Sequence, residues 1–86
     1  MFFIYILKSI KFKKLYIGIT NNLSERIKQH NKGLVEEATK PYFPFKCVYL
    51  EGYLSKREAY QRERNLKLRA NAWNQLKRRI KDNLRS

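Results

Sequence analysis

Phe2-Phe3-Ile4-Tyr5-Ile6-Leu7 and Leu15-Tyr16-Ile17-Gly18-Ile19 are the two stretches that decide the fold. Both are rich in β-branched and aromatic residues, which suit a pleated surface. A short basic segment, Lys8-Ser9-Ile10-Lys11-Phe12-Lys13-Lys14, joins them. The pair reads as an antiparallel hairpin. Polar residues do not alternate with apolar ones in either run, so both sheet faces are expected to be covered. Two tyrosines, Tyr5 and Tyr16, stand inside it. Gly18 interrupts the second strand, where a glycine weakens pairing and often marks a close approach by a ligand or another backbone.

Moving outward, Asn22 is a good helix N-cap, and Glu25 three residues later completes a capping-box pattern. Gly33 is placed to end that helix in a left-handed conformation. Leu34 to Phe45 reads as a loop, because Pro41 and Pro44 disfavour regular structure. Its Tyr42, Phe43 and Phe45 either lid the core or stack on bases. Lys46 to Tyr53 is a third strand. Ser55-Lys56-Arg57-Glu58 opens a second helix with another capping box. Asn71 caps a last helix, Ala72 to about Leu84, whose apolar stripe is Trp73, Leu76, Ile80 and Leu84. The order β-β-α-β-α-α predicts an α+β domain on a small three-stranded antiparallel sheet.

Eighty-six residues make one domain, large enough for a modest core without disulfides or structural metals. Cys47 stands alone and is expected as a small buried hydrophobe in a strand. One cysteine and no signal peptide point to a reducing, cytoplasmic setting. No apolar run approaches the roughly 20 residues of a transmembrane helix.

Charge is the strongest global signal. Twenty Lys and Arg against seven Asp and Glu give a net charge of +13. From Leu54 onward eleven basic residues face three acids, so this third alone carries +8. Such a balance favours a polyanion, above all nucleic acid. An anionic membrane surface under a basic amphipathic C-terminal helix is the weaker competitor.

Turning the helices at about 100° per residue shows where the polar residues point. On the first, Arg26 and His30 fall on or beside the apolar stripe of Leu23 and Ile27. An arginine there must snorkel, pair or line a cleft. On the second, Glu63 falls on the buried side with Ala59 and Leu66. A buried carboxylate needs a partner: an internal salt bridge to Arg62 or Arg26, or a metal.

These residues together resemble the GIY-YIG endonuclease superfamily. Phe3-Ile4-Tyr5, ten residues, then Tyr16-Ile17-Gly18 is similar to its paired motifs. The resemblance continues through Ile19-Thr20-Asn21-Asn22-Leu23, Arg26 and His30 to Arg62-Glu63-Arg64-Asn65-Leu66-Lys67. It covers roughly residues 2 to 70, leaving 71 to 86 as a C-terminal basic helix. It looks most like the short stand-alone members, related to the N-terminal domain of the excinuclease C subunit. Phe3 replaces the first motif's glycine. The asparagine that many larger relatives carry beyond the glutamate would be Asn71 or Asn74.

The resemblance implies hydrolysis of DNA phosphodiester bonds with one Mg²⁺ or Mn²⁺ ion, in DNA repair or recombination. It implies Glu63 as the metal ligand, Arg26 on the scissile phosphate, and Tyr5 or Tyr16 as the base. His30 would bond a tyrosine or the phosphate. The residue types suit that reaction in their own right. Glutamate is a hard oxygen ligand, arginine a permanently charged fork, and a phenol becomes a base only beside a cation. Tyr5, Tyr16, Arg26 and Glu63 are then expected to converge on one sheet face. A monomer is expected. The alternative is a non-catalytic nucleic-acid-binding module using the same basic surface.

Overall fold

β1 (Phe2–Ser9) is the strand on which everything else packs. It lies in the middle of a three-stranded antiparallel sheet, with β2 (Leu15–Thr20) on one side and β3 (Phe45–Tyr53) on the other. The structure, a computed structural model, describes residues 1–33 and 40–85. A central strand has neighbours on both edges and both faces, and Ile4, Tyr5, Ile6 and Leu7 are accordingly buried in succession. Burying an aliphatic side chain of this size contributes about 1.5–3 kcal/mol, so this run anchors the fold.

Alternation along β1 divides the core in two. Tyr5 and Leu7 point to one face, where Phe45 joins them and Leu23 and Ile27 of helix α1 (Leu23–Asn31) pack on top. Ile4 and Ile6 point to the other, against Leu66 of α2 (Lys56–Leu68), Leu76 of α3 (Ala70–Arg79) and Ile80. Both faces are covered, as the unbroken apolar runs require. A short α4 (Lys81–Arg85) ends the described chain. The Lys8 ammonium reaches across from β1 and donates to the Leu84 carbonyl there. Among the described residues no helix is long and apolar enough to cross a membrane.

The caps form where the sequence places them. The Asn22 side chain accepts from the Glu25 amide at 3.3 Å, and the Ser55 hydroxyl accepts from the Glu58 amide at 3.2 Å. Gly33 follows α1 at φ +68°, the left-handed turn that glycine adopts without cost.

Two features of the C-terminal part differ from expectation. α3 starts at Ala70 with Arg69 as its N-cap and no side-chain cap bond, so Asn71 lies inside the first turn. Arg69 has extended backbone and serves at once as the last cap of α2 and the first of α3. One residue makes the whole corner, and no room is left for a separate capping residue. The last helix also divides at Ile80, giving α3 and α4 where one was expected.

In the predicted loop, 34–39 lies outside the described residues. Lys40–Tyr42 forms a single 3₁₀ turn. Phe45 opens β3 and is buried against Tyr5 and Leu7, with Tyr42 packed beside them. These two rings lid the core. Phe43 is 42% exposed. Cys47 is half-buried in β3; burial pushes its thiol pKa up, which keeps it protonated and unreactive.

Candidate active site

The β1–β2 register brings the two tyrosines together. Tyr5 stands opposite Gly18 and Leu7 opposite Tyr16. Directly paired residues share a face, so Tyr5 and Tyr16 both point toward α1, with ring centroids 6.4 Å apart. The reason for Gly18 is now visible. A Cβ at position 18 would stand 2.2 Å from Cζ and 2.2 Å from Oη of Tyr5. The close approach is made by a neighbouring phenol ring, which the missing side chain lets through.

His30, on the last turn of α1, completes the group. It is 1% exposed, and its Nε2 shares a 3.0 Å hydrogen bond with the Tyr5 hydroxyl. Its ring lies 5.1 Å from that of Tyr16 and 6.0 Å from that of Phe45. Tyr5 and His30 are thus a buried, mutually oriented pair, whereas Tyr16 is half-buried and lines an open cleft. That cleft, about 290 Å³, is shared with Ile17, Leu66, Lys67 and Trp73.

α2 brings the charge. Lys67 Nζ lies 5.9 Å from the centre of the Tyr16 ring and 3.3 Å from Glu63 Oε2. Glu63, only 16% exposed in its side chain, therefore finds its counter-ion one turn along its own helix. It does not pair with Arg62 or Arg26. α2 packs on the Ile4–Ile6 side of the sheet, and the link from Glu63 to Tyr16 runs through Lys67. Tyr5 and Tyr16 share the α1 face, whereas the helix that carries Glu63 packs on the other, so the expected convergence on one face is not what the fold shows. β2 is an edge strand, and no further strand separates the two faces there.

Arg26, half-buried on α1, lines a cleft of about 240 Å³ with Thr20, Asn21, Lys56 and Tyr60. Glu63 lines the adjoining one, about 420 Å³, with Arg57, Gln61, Arg64 and again Tyr60. The structure thus joins Tyr5, Tyr16 and His30 in direct contact, ties Glu63 to Tyr16 through Lys67, and sets Arg26 across Tyr60 from Glu63.

Glu51 is the carboxylate that sequence reasoning left without a role. It accepts from Arg62 Nε and a second guanidinium nitrogen, both at 2.9 Å, and from the hydroxyls of Tyr49 at 2.9 Å and Tyr53 at 2.8 Å. Burial pushes its pKa up, but the bonds from Arg62, Tyr53 and Tyr49 outweigh that and hold it below the usual carboxylate range. Burial and the bond to Glu51 push Tyr53 up to about 12. The signal was present: Tyr49, Glu51 and Tyr53 at a spacing of two share one face of a strand.

A family model described as the GIY-YIG catalytic domain matches residues 1–78. The chain belongs to the GIY-YIG family. Similar proteins include a UPF0213 protein of Clostridium perfringens, 48% identical over 67 residues, 78% of this chain and 71% of that one. Another, from Oceanobacillus iheyensis, is 35% identical over 65 residues, 76% of this chain and 74% of its own. The solution NMR structure of a UPF0213 protein from Bacillus halodurans has 32% identity and a TM-score of 0.53, covering 88% of this chain and 82% of that one. GIY-YIG is a family of nucleases, typically dependent on a divalent metal and acting on DNA. The β-β-α-β-α-α core read from the sequence is the fold that this GIY-YIG chain shares with that neighbour.

The donor set bears on the metal. Among the described residues no three His, Cys, Asp or Glu side chains gather into a cage. Glu63 offers one hard carboxylate, paired so far only with Lys67. That suits an ion which keeps most of its water, Mg²⁺ or Mn²⁺, rather than the closed ligand set of a structural zinc site.

Proposed function

We propose that this GIY-YIG chain is a divalent-metal-dependent endonuclease that hydrolyses phosphodiester bonds of DNA. The observation that carries the proposal is the tyrosine pair at the β2 edge: a buried Tyr5 locked to His30, beside an accessible Tyr16 that shares Lys67 with Glu63.

Each side chain then has a task. Tyr16 opens onto the cleft and acts as the base that takes the proton of the attacking water. Tyr5 and His30 fix the ring layer against which Tyr16 packs, and Gly18 leaves the space for it. Arg26 presents its guanidinium fork to the scissile phosphate and stabilises the charge that grows on it. Glu63 would hold one Mg²⁺ or Mn²⁺ ion. When bound, that ion supplies charge neutralisation and a water of lowered pKa. The surrounding lysines and arginines bind the DNA backbone without reading sequence. A monomer working in the cytoplasm, in DNA repair or recombination, fits this role.

The test is nicking of supercoiled plasmid and of branched DNA by purified protein with Mg²⁺ or Mn²⁺. Arg26→Ala and Glu63→Ala are each expected to lose the activity. Wild-type rates in both variants would refute the site. Binding without cleavage under every metal would leave the nucleic-acid-binding module as the function.

A further inference from the structure

Tyr60 takes no part in the roles above, yet it stands between them. It projects from α2 and is 48% exposed. It is the residue common to the Arg26 cleft and the Glu63 cleft. A strand whose phosphate lies on Arg26 and whose backbone continues toward Glu63 passes over this ring. Lys56 Nζ lies 5.7 Å from the ring centroid, close enough for the ring to share its charge with a phosphate beside it. Asn21 lines the Arg26 cleft and Gln61 the Glu63 cleft, so each offers a side-chain amide beside this path.

We propose that Tyr60 is a stacking platform for an unpaired nucleobase next to the scissile phosphate, so that the site takes single-stranded or locally unpaired strands in preference to intact duplex. The proposal rests on the reading of this edge as a nuclease site. In a duplex the bases are stacked and paired inside, and a protein bound at the backbone meets only phosphate, sugar and groove edges. An aromatic face lying between two phosphate-binding clefts has nothing to stack on there. In an unpaired strand the base turns out onto the ring at little cost, because no pairing has to be broken. Stacking of this kind is tolerant of sequence, in keeping with a surface that otherwise contacts the backbone.

The experiment measures binding in EDTA, so that cleavage plays no part. Wild type, Tyr60→Phe and Tyr60→Ala are titrated by fluorescence anisotropy against a short single-stranded oligonucleotide and the matched duplex. A second single strand carries 2-aminopurine, whose emission falls when the base stacks. The expected result is a loss of about tenfold or more for Tyr60→Ala on the single strand, with less than about twofold on the duplex. Tyr60→Phe keeps wild-type affinity and wild-type quenching, and Tyr60→Ala loses the quenching. Equal losses on both substrates, no loss on either, or quenching that survives in Tyr60→Ala would overturn the proposal. Circular dichroism checks that the exposed substitution leaves the fold unchanged. Because no metal is present, failure here leaves the roles of Arg26 and Glu63 standing, and failure of those variants to lose nicking leaves this result standing.

Discussion

Glu51 and Glu63 lie twelve positions apart and are both largely covered, yet the molecule treats them in opposite ways. Glu51, between β3 and α2, is 13% exposed in its side chain and accepts four hydrogen bonds, two from Arg62 and one each from Tyr49 and Tyr53. Its lone pairs are occupied by groups that have no other task. Glu63, the residue after Arg62 on the same helix, meets one lysine that is itself 45% exposed. A carboxylate with every position filled is part of the scaffold. One with a single lysine partner keeps acceptor positions for the metal that the proposed function assigns to it. Under the proposed function, Glu51 belongs to the scaffold and Glu63 to the chemistry.

The largest expected effect falls on the scaffold side. Glu51→Ala strands a partly buried guanidinium and two phenols. Breaking a buried pair costs about 3–5 kcal/mol, and with Arg62 33% exposed a smaller loss, about 2–3 kcal/mol, is expected. For a domain of this size that lowers the melting temperature by roughly 10–20 °C, measurable by calorimetry. A drop under about 3 °C would show that the network is ornamental.

Gly18→Ala comes next, and it strikes the rigid part of the catalytic side. The new methyl overlaps the Tyr5 ring, and overpacking of this kind costs about 1–3 kcal/mol. Tyr5 must move off His30, so nicking should fall more than the stability loss explains. Full activity with a normal Tyr5–His30 contact by NMR would argue against the role of this pair.

pH probes the Glu51 network more gently. The Glu51 pKa is held down in the folded state, so its contribution to stability is complete above the unfolded value of about 4.3 and is lost as pH falls through the folded value. Tyr53 behaves in reverse. With its pKa up at about 12 when folded against about 10 unfolded, its contribution is complete below pH 10 and is lost as pH rises through 12. Urea midpoints of Glu51→Gln should therefore show a shallower acid limb than wild type below about pH 4.3. Ultraviolet titration should show its Tyr53 ionising at lower pH. The smallest effect belongs to Glu63→Gln, within about 0.5 kcal/mol of wild type in stability, as expected for a single i,i+4 pair within one helix.

Much of this was legible in the sequence because it is local. The hairpin, both capping residues, the Gly33 turn and the inward faces of Arg26, His30 and Glu63 all follow from spacing within one element. Pairings between elements were not. Arg62 and Glu51 lie eleven positions apart on different elements, and no spacing rule says that they meet. Tyr49-x-Glu51-x-Tyr53 announced a shared face but not the arginine that would land on it. The double use of Arg69 as a corner depends on how α2 and α3 pack, and Tyr60 gains its position only when two clefts meet beside it. That α2, and Glu63 with it, packs on the face away from the tyrosines likewise depends on how the elements pack.

The most direct measurement is the Mn²⁺-dependent plasmid-nicking rate per folded molecule, taken for Glu51→Gln and Glu63→Gln side by side at a temperature where both are folded. Glu51→Gln should nick within about threefold of wild type, and Glu63→Gln should fall by more than about a hundredfold, the scale on which loss of transition-state charge stabilisation is felt. Equal rates in the two variants, or a collapse in Glu51→Gln while Glu63→Gln stays active, would mean that the division between a structural and a working carboxylate is wrong.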